Sequence, residues 1–148
     1  MVRAVAAVLA SILSLPAAAE VIHHSSGAFA GQSLPFSEAV EVDGLVFLSG
    51  QIGVSPGTLE LVDGGIDAEA RQTMENIGAT LVAAGLGFEH VVKCTVMLAD
   101  MADWPAFNAV YVTYFEPPYP ARSAFGASGL ALGGRVEVEC IAARPQSE

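Results

Sequence analysis

Two stretches of this 148-residue chain carry apolar residues at helical spacing, and each must bury that face against a second layer. The first helix is predicted to begin with Asp67 as its cap, to run to about Ala84 and to stop at Gly85. The second is predicted to begin with Asp103 as its cap and to end before Pro117. Their apolar stripes are Ala70, Met74, Ile77, Leu81 and Ala84 in the first, and Phe107, Val110, Tyr111, Tyr114 and Phe115 in the second.

Strand-like runs surround the two helices and predict a two-layer α+β domain. They lie around residues 36–42, 45–49, 91–98, 121–127 and 136–142. Asp43-Gly44 between the first two runs is a strong hairpin signal, because both turn residues must accept a positive φ. The order strand-strand-helix-strand-helix-strand-strand places both helices on one face of a mixed sheet. We expect such a sheet to self-associate through its other face.

The chain opens with the pattern of a secretory signal peptide over residues 1–19. Arg3 precedes an apolar run that ends at Leu15, and three alanines provide a cleavage site before Glu20. The run is short for a bilayer span, which takes roughly 20 residues, although a retained anchor stays an alternative. Residues 20–34 are predicted to form an extended N-terminal arm and residues 35–145 a single domain. We therefore expect a secreted or periplasmic protein that has no membrane contact once the signal peptide is removed.

Acidic residues dominate the charged side chains. Six Lys plus Arg oppose sixteen Asp plus Glu, which gives a formal net charge of −10. Because such a surface repels phosphate backbones, we expect no nucleic-acid partner.

Cys94 and Cys140 lie in apolar runs that favour buried thiols, although export would permit a disulfide. His23 and His24 fall in a flexible leader with no partner nearby in sequence, so no metal site is predicted.

A few polar residues are candidates for chemistry. Arg122 opens a strand, and its planar guanidinium can pair bidentately with a carboxylate or phosphate; a surface salt bridge is the alternative. Glu137 and Glu139 share one face of the last strand, where a carboxylate lining a cleft would act as a general base; plain solvent exposure is the alternative. Gly50 permits close backbone approach to a ligand, whereas nothing near Ser49 supports a serine triad.

These motifs together resemble the Rid/YjgF family over roughly residues 33–145. The Ser-Gly-Gln, Asn-x-x-Tyr and Pro-Ala-Arg-Ser pieces are specific in this order. The resemblance implies a chorismate-mutase-like fold and a homotrimer with clefts between subunits. The matching segments are Phe36-Ser-Glu-Ala, Leu48-Ser-Gly-Gln-Ile-Gly, Val91-Val-Lys-Cys-Thr-Val-Met-Leu-Ala-Asp-Met, Asn108-Ala-Val-Tyr, Pro120-Ala-Arg-Ser and Val136-Glu-Val-Glu.

The resemblance also implies an activity, which is the hydrolysis of enamines and imines such as 2-aminoacrylate and 2-iminopropionate to a keto acid and ammonia. On this basis Arg122 binds the substrate carboxylate and Glu137 positions the hydrolytic water. The remaining substrate-binding positions implied are Ser49, Gly50, Asn108, Phe36 and Ala124. No cofactor or metal is expected, because an imine is already electrophilic and needs chiefly proximity and orientation.

An alternative function follows from one departure from the family pattern. Phe36 stands where the family's deaminases usually carry a tyrosine, so a hydroxyl is missing. This loss favours a non-catalytic trimer that binds a small carboxylate as a sensor or holdase-like protein, whereas retention of Glu137 favours the enzyme. The ribonuclease activity attributed to some relatives is disfavoured by the acidic charge.

Overall fold

A mixed β-sheet forms one layer of the protein, and two helices form the other. A computed structural model describes residues 19–146, so the predicted signal peptide, apart from Ala19, lies outside the described residues. The strands are β1 (Val21–His24), β2 (Ala39–Val42), β3 (Leu45–Leu48), β4 (Gln51–Ile52), β5 (Val91–Leu98), β6 (Ala121–Gly126) and β7 (Val136–Ala143). The helices are α1 (Gly65–Ala83) and α2 (Trp104–Tyr111). The predicted α+β fold is thereby confirmed.

The strands follow the order β1-β2-β3-β7-β5-β6, and β4 pairs with β7 beyond the end of β3. All pairs are antiparallel except β5 with β6, which run parallel. The predicted hairpin joins β2 to β3, and its turn residues Asp43 and Gly44 have φ values of 50° and 77°. The turn therefore uses the positive φ at both positions that the Asp-Gly pair predicted.

Helix α1 has the predicted apolar face but a different start. Its stripe residues are all buried against the sheet and α2. Gly64 precedes the helix with a φ of 118°, so Asp67 lies within the first turn rather than at the cap, contrary to the prediction. The carboxylate of Asp67 still interacts favourably with the positive end of the helix dipole. Gly85, with a φ of 70°, lies just beyond the helix end as predicted.

Helix α2 is shorter than predicted, because a 3₁₀ turn over Val112–Tyr114 follows it directly. Asp103 occupies the N-cap position but makes no capping hydrogen bond. Its carboxylate instead accepts hydrogen bonds of 3.0 and 3.1 Å from the guanidinium of Arg135. The carboxylate is therefore engaged by the guanidinium rather than by the first backbone N–H groups of the helix. Neither helix of residues 19–146 has the length and apolarity needed to cross a membrane.

The N-terminal arm contains a strand and is bound to the domain. β1 forms an edge of the sheet and pairs with β2. His23 Nδ1 lies 2.8 Å from Ser37 Oγ, and His24 Nε2 lies 2.8 Å from Glu41 Oε2. The leader that was predicted to be flexible is therefore attached to the domain, and both histidines have partners in the fold. Their partners are 14 and 17 residues away in the sequence, beyond the reach of local patterns.

Cys94 and Cys140 form a disulfide, which replaces the buried thiols that their apolar surroundings predicted. They are directly opposite each other in the pairing of β5 with β7, on the face that meets the helices. Their Cα atoms are 4.1 Å apart. The register of two strands distant in sequence therefore makes the bridge possible.

The double variant Cys94→Ala/Cys140→Ala should be less stable than the wild type by about 2–4 kcal/mol, because the bridge constrains the unfolded chain. The two cysteines are 46 residues apart in the sequence, and chemical denaturation measures the difference. Either single variant should be destabilised like the double one, since neither can form the bridge. Alkylation of both cysteines without prior reduction, detected by intact mass, would contradict the bridge.

Arg144 ties the end of β7 to β2 and to the end of α1. Its Nε and Nη2 each donate a 2.7 Å hydrogen bond to the carboxylate of Glu41, and Nη2 also donates to the carbonyl of Ala84 at 2.8 Å. Glu41 is only 7% exposed. The hydrogen bonds from Arg144, aided by His24 and opposed by burial, lower the pKa of Glu41 to about 2.

Arg144→Leu should cost about 1–3 kcal/mol of unfolding free energy at pH 7, because it leaves the nearly buried Glu41 carboxylate with His24 as its remaining contact. The pKa of Glu41 in the folded protein lies below its ordinary value of 4.5, so the pair stabilises above that pH and is lost as pH falls toward about 2. The difference between wild type and variant should therefore shrink in acid. Urea unfolding at several pH values measures it, with the exposed Arg71→Leu as matched control; a constant difference down to pH 2 would contradict the assignment.

Candidate functional site

A cavity of about 470 Å³ lies beside β4 and the start of β7. It collects four of the predicted site residues, Phe36, Ser49, Gly50 and Glu137. The other lining residues are mostly apolar and were not predicted: Phe29, Leu34, Gln51, Ile52, Val54, Leu59, Ala131 and Leu132. The cavity therefore combines one carboxylate with an apolar wall, as small-molecule sites commonly do.

Gly50 makes room for the carboxylate of Glu137. A Cβ atom built on Gly50 would collide with Glu137 Oε1 and lie 2.9 Å from its Cδ. The close approach that the sequence analysis expected at this glycine thus involves a side chain of the same protomer. The missing side chain at residue 50 lets the carboxylate line the cavity.

Glu137 is half-buried on β7, between Val136 and Val138, which point into the core. Burial raises the pKa of its carboxyl group, and the negative charge of Glu139 raises it further. A carboxyl group with a raised pKa exchanges protons more readily near neutral pH than an ordinary glutamate. Glu137 is therefore suited to take a proton from water and to return it.

Ser49 contributes a hydroxyl group whose proton is already engaged. Its Oγ donates a 2.7 Å hydrogen bond to the carbonyl of Ser37, and its backbone N–H donates to the carbonyl of Glu38 at 3.0 Å. The side chain therefore points its proton at the backbone rather than at a base. This arrangement agrees with the expectation that Ser49 is not a catalytic nucleophile.

Arg122 lies on β6 and is held by two aromatic rings of α2. Its Cζ is 4.7 Å from the centroid of the Trp104 ring and 4.5 Å from that of Tyr111. Such cation–π contacts fix the plane of the guanidinium without using its N–H groups. The alternative of a surface salt bridge is not realised, because the ion pairs found within residues 19–146 do not include Arg122.

Three polar atoms around Arg122 are buried and have no hydrogen-bond partner within residues 19–146: Arg122 Nη1, Asn108 Oδ1 and Tyr111 OH. Buried polar groups in native proteins almost always have partners, so an unfilled set marks a place for a ligand or a second chain. Trp104 and Tyr111 were not among the predicted site residues. Their signal was the spacing of residues 104, 108 and 111, which puts all three on one face of α2.

Arg122 and Glu137 lie on opposite faces of the sheet. Arg122 is in register with Cys94, which faces the helices, and Ala124 on the same side packs against the core. Glu137 alternates with buried valines and faces away from the helices. One protomer therefore brings Phe36, Ser49 and Gly50 to Glu137, but it does not bring Asn108, Arg122 or Ala124 to them.

The described part of the chain offers no evident metal centre. Within residues 19–146, no three or more His, Cys, Asp or Glu side chains are grouped as a metal ion would require.

Comparison with known proteins gives consistent matches over most of the chain. A family model described as Endoribonuclease L-PSP matches residues 30–144. A Mus musculus protein named 2-iminobutanoate/2-iminopropanoate deaminase is 48% identical over 108 residues, which are 73% of this chain and 80% of the mouse protein. A Capra hircus protein of the same name is 50% identical over 108 residues, 73% of this chain and 79% of its own length.

Two solved structures extend the comparison to the fold. RidA from an Antarctic Psychrobacter has a TM-score of 0.77 and 38% identity, and the match covers 82% of this chain and 98% of that one. Escherichia coli TdcF with bound serine has a TM-score of 0.77 and 33% identity, and the match covers 84% and 99% of the two chains.

Glu139→Gln should lower the pKa of Glu137 relative to the wild type, because it removes the neighbouring negative charge while burial stays. Carbon NMR titration of the Glu137 carboxyl group measures the change. Glu75→Gln, at an exposed position on α1, is the control and should leave this pKa where it was. An unchanged Glu137 pKa in Glu139→Gln would show that the two carboxylates do not interact.

Proposed function

Because this chain belongs to the Endoribonuclease L-PSP family, also called Rid/YjgF, we propose that it hydrolyses small imine or enamine carboxylates to a keto acid and ammonia. The names of the mouse and goat relatives support this reaction, since both are 2-iminobutanoate/2-iminopropanoate deaminases. Hydrolysis of RNA is disfavoured by the formal net charge of −10.

The observation that carries the proposal is the unsatisfied Nη1 of Arg122. Two aromatic rings lie 4.7 and 4.5 Å from its Cζ, and no carboxylate within residues 19–146 pairs with it, so Nη1 is left without an acceptor. A carboxylate accepts two parallel hydrogen bonds from the edge of a guanidinium. Arg122 would therefore bind the carboxylate of the substrate and orient it.

We infer that the complete site forms between neighbouring subunits of a homotrimer. Arg122 and Glu137 face opposite sides of the sheet within one chain, so a second chain must supply one of them to a shared ligand. The face of the sheet that carries Glu137 also exposes Leu45 and Phe47, each 41% accessible. An apolar surface of this kind favours self-association.

The reaction itself needs a water molecule and a base. Glu137 takes a proton from water as the water oxygen attacks the imine carbon, which forms a bond to oxygen and opens the C=N double bond. Return of that proton to nitrogen gives an intermediate with one hydroxyl and one amino group on the same carbon. Glu137 then takes the hydroxyl proton and passes it to nitrogen, so that the C–N bond breaks, the C=O bond forms, and ammonia and the keto acid are released. Arg122 contributes by holding the carbon in place, and fixed orientation of this kind accounts for much of the rate enhancement of such reactions.

The second candidate function is a non-catalytic trimer that binds a small carboxylate. Phe36 favours it, because this residue lines the cavity and offers no hydroxyl to a reacting group. The serine bound to Escherichia coli TdcF supports a small carboxylate as the kind of ligand for either function. Release of keto acid separates the two candidates.

We also propose that the protein is exported and acts outside the cytoplasm. The amino-terminal pattern of residues 1–19 is that of a secretory signal peptide. The disulfide between Cys94 and Cys140 supports this location, since such bridges persist in oxidising compartments.

Purified wild-type protein should accelerate keto-acid release from imines that an amino-acid oxidase generates in the assay. Arg122→Ala should lower kcat/KM by about 30-fold or more, since it removes a bidentate ion pair to the substrate. Glu137→Gln should lower kcat by about 100-fold or more while it spares carboxylate binding. Arg71→Ala is the control for loss of an arginine. Equal rates for wild type and Arg122→Ala across several imines would end the enzyme proposal.

Mixing the two inactive variants tests the cleft between subunits. If Arg122 and Glu137 of one site come from different chains, co-refolded Arg122→Ala and Glu137→Gln protomers assemble some clefts with both native residues. Random assortment in a closed ring makes about one quarter of the clefts native, so about one quarter of wild-type activity should return. A mixture that stays inactive although native mass spectrometry shows mixed trimers would contradict the shared cleft.

A further inference from the structure

The cavity beside Glu137 is larger and more apolar than a three-carbon imine requires. One protomer leaves about 470 Å³ open there, to which a neighbouring subunit would add its own side chains, and most lining side chains are hydrocarbon. The side chain of 2-iminopropanoate is a single methyl group, which would leave much of this wall in contact with water. Apolar surface of this kind is stabilised by covering it with another apolar group.

The N-terminal arm supplies part of that wall. Phe29 and Leu34 belong to the segment predicted as an arm, and both line the cavity. Together with Phe36 they also line a second cavity of about 320 Å³, which contains His23 and His24. These three side chains therefore form the partition between an apolar cavity and a more polar one.

Hydrogen bonds of the residues just before Phe29 hold the arm in place. Before it, the carboxylate of Glu38 accepts from Ser25 Oγ at 2.7 Å, from Ser26 N at 3.1 Å and from Ser26 Oγ. Burial alone would raise the pKa of Glu38, but these hydrogen bonds outweigh it and lower the pKa, so the carboxylate is charged at neutral pH. Next to Phe29, the carbonyl of Ala28 accepts from Gly57 N at 2.8 Å.

The turn that carries Phe29 is itself ordered by backbone hydrogen bonds. Ala30 N donates to the carbonyl of Gly27 at 3.1 Å, and Gln32 N donates to the carbonyl of Phe29 at 3.0 Å. The backbone hydrogen bonds of the arm therefore hold Phe29 at the cavity wall.

We propose that Phe29 is a specificity-determining residue, and that the cavity selects imino and keto acids whose apolar side chain is larger than methyl, such as the four-carbon side chain of the leucine-derived acids. Arg122 of a neighbouring subunit holds the carboxylate, while Phe29, Leu34 and Phe36 cover the hydrocarbon end. This inference rests on the proposed function for the identity of the reacting group.

Calorimetry with two stable keto acids tests the selectivity separately from catalysis. Wild type should bind 4-methyl-2-oxopentanoate at least about tenfold more tightly than pyruvate, because the larger acid buries three more carbons. Phe29→Ala should weaken binding of the larger acid far more than binding of pyruvate, so that most of the ratio is lost. Phe29→Leu should retain an intermediate ratio, and Val82→Ala, at a position 72% exposed on α1, should retain the full one.

Two outcomes would overturn the inference: equal affinities of the wild type for both acids, or a ratio that Phe29→Ala leaves intact. Thermal unfolding of each variant establishes that it is folded. Keto-acid release is assayed in parallel on the imines of alanine and leucine. Tighter binding of the larger acid without any keto-acid release would contradict the proposed reaction and support the selectivity. Keto-acid release with equal affinities for the two acids would overturn the selectivity alone.

Discussion

The antiparallel pairing of β5 with β7 at the centre of the sheet determines which way the functional side chains point. With Cys94 opposite Cys140, the valines of β7 face the helices and Glu137 faces the open side. Side chains alternate along a strand, so a slip of one residue would bury Glu137 and expose the core residues instead. The disulfide crosses this same pairing and therefore fixes the register covalently.

The same pairing propagates to β6 and divides the site into two parts. β6 runs parallel to β5 with Arg122 beside Cys94, which commits the guanidinium to the helix side and to the rings of Trp104 and Tyr111. Each chain thus carries a cavity with a carboxylate on one face and an unsatisfied arginine on the other. In the proposed trimer, association is the step that joins them, so the assembly and the chemistry depend on each other.

The N-terminal arm illustrates how buried carboxylates hold a segment at the edge of the sheet. The carboxylate of Glu41 lies within hydrogen-bond distance of the His24 ring, and the carboxylate of Glu38 accepts hydrogen bonds from Ser25 and Ser26. Both carboxylates lie in or next to β2, so the arm follows that strand before it reaches the cavity with Phe29. The proposed selectivity for apolar side chains larger than methyl depends on this attachment of the arm to β2.

The sequence by itself determined the two helical stripes, the hairpin at Asp43-Gly44, and the choice of Arg122 and Glu137, because spacing, turn chemistry and family motifs are local. Only the tertiary structure decided that Arg122 and Glu137 lie on opposite faces, that Cys94 and Cys140 form a bridge, and that the arm lines the cavity. Each of these depends on strand order and register, and therefore on contacts between residues far apart in the sequence. Local patterns carry no information on those distances.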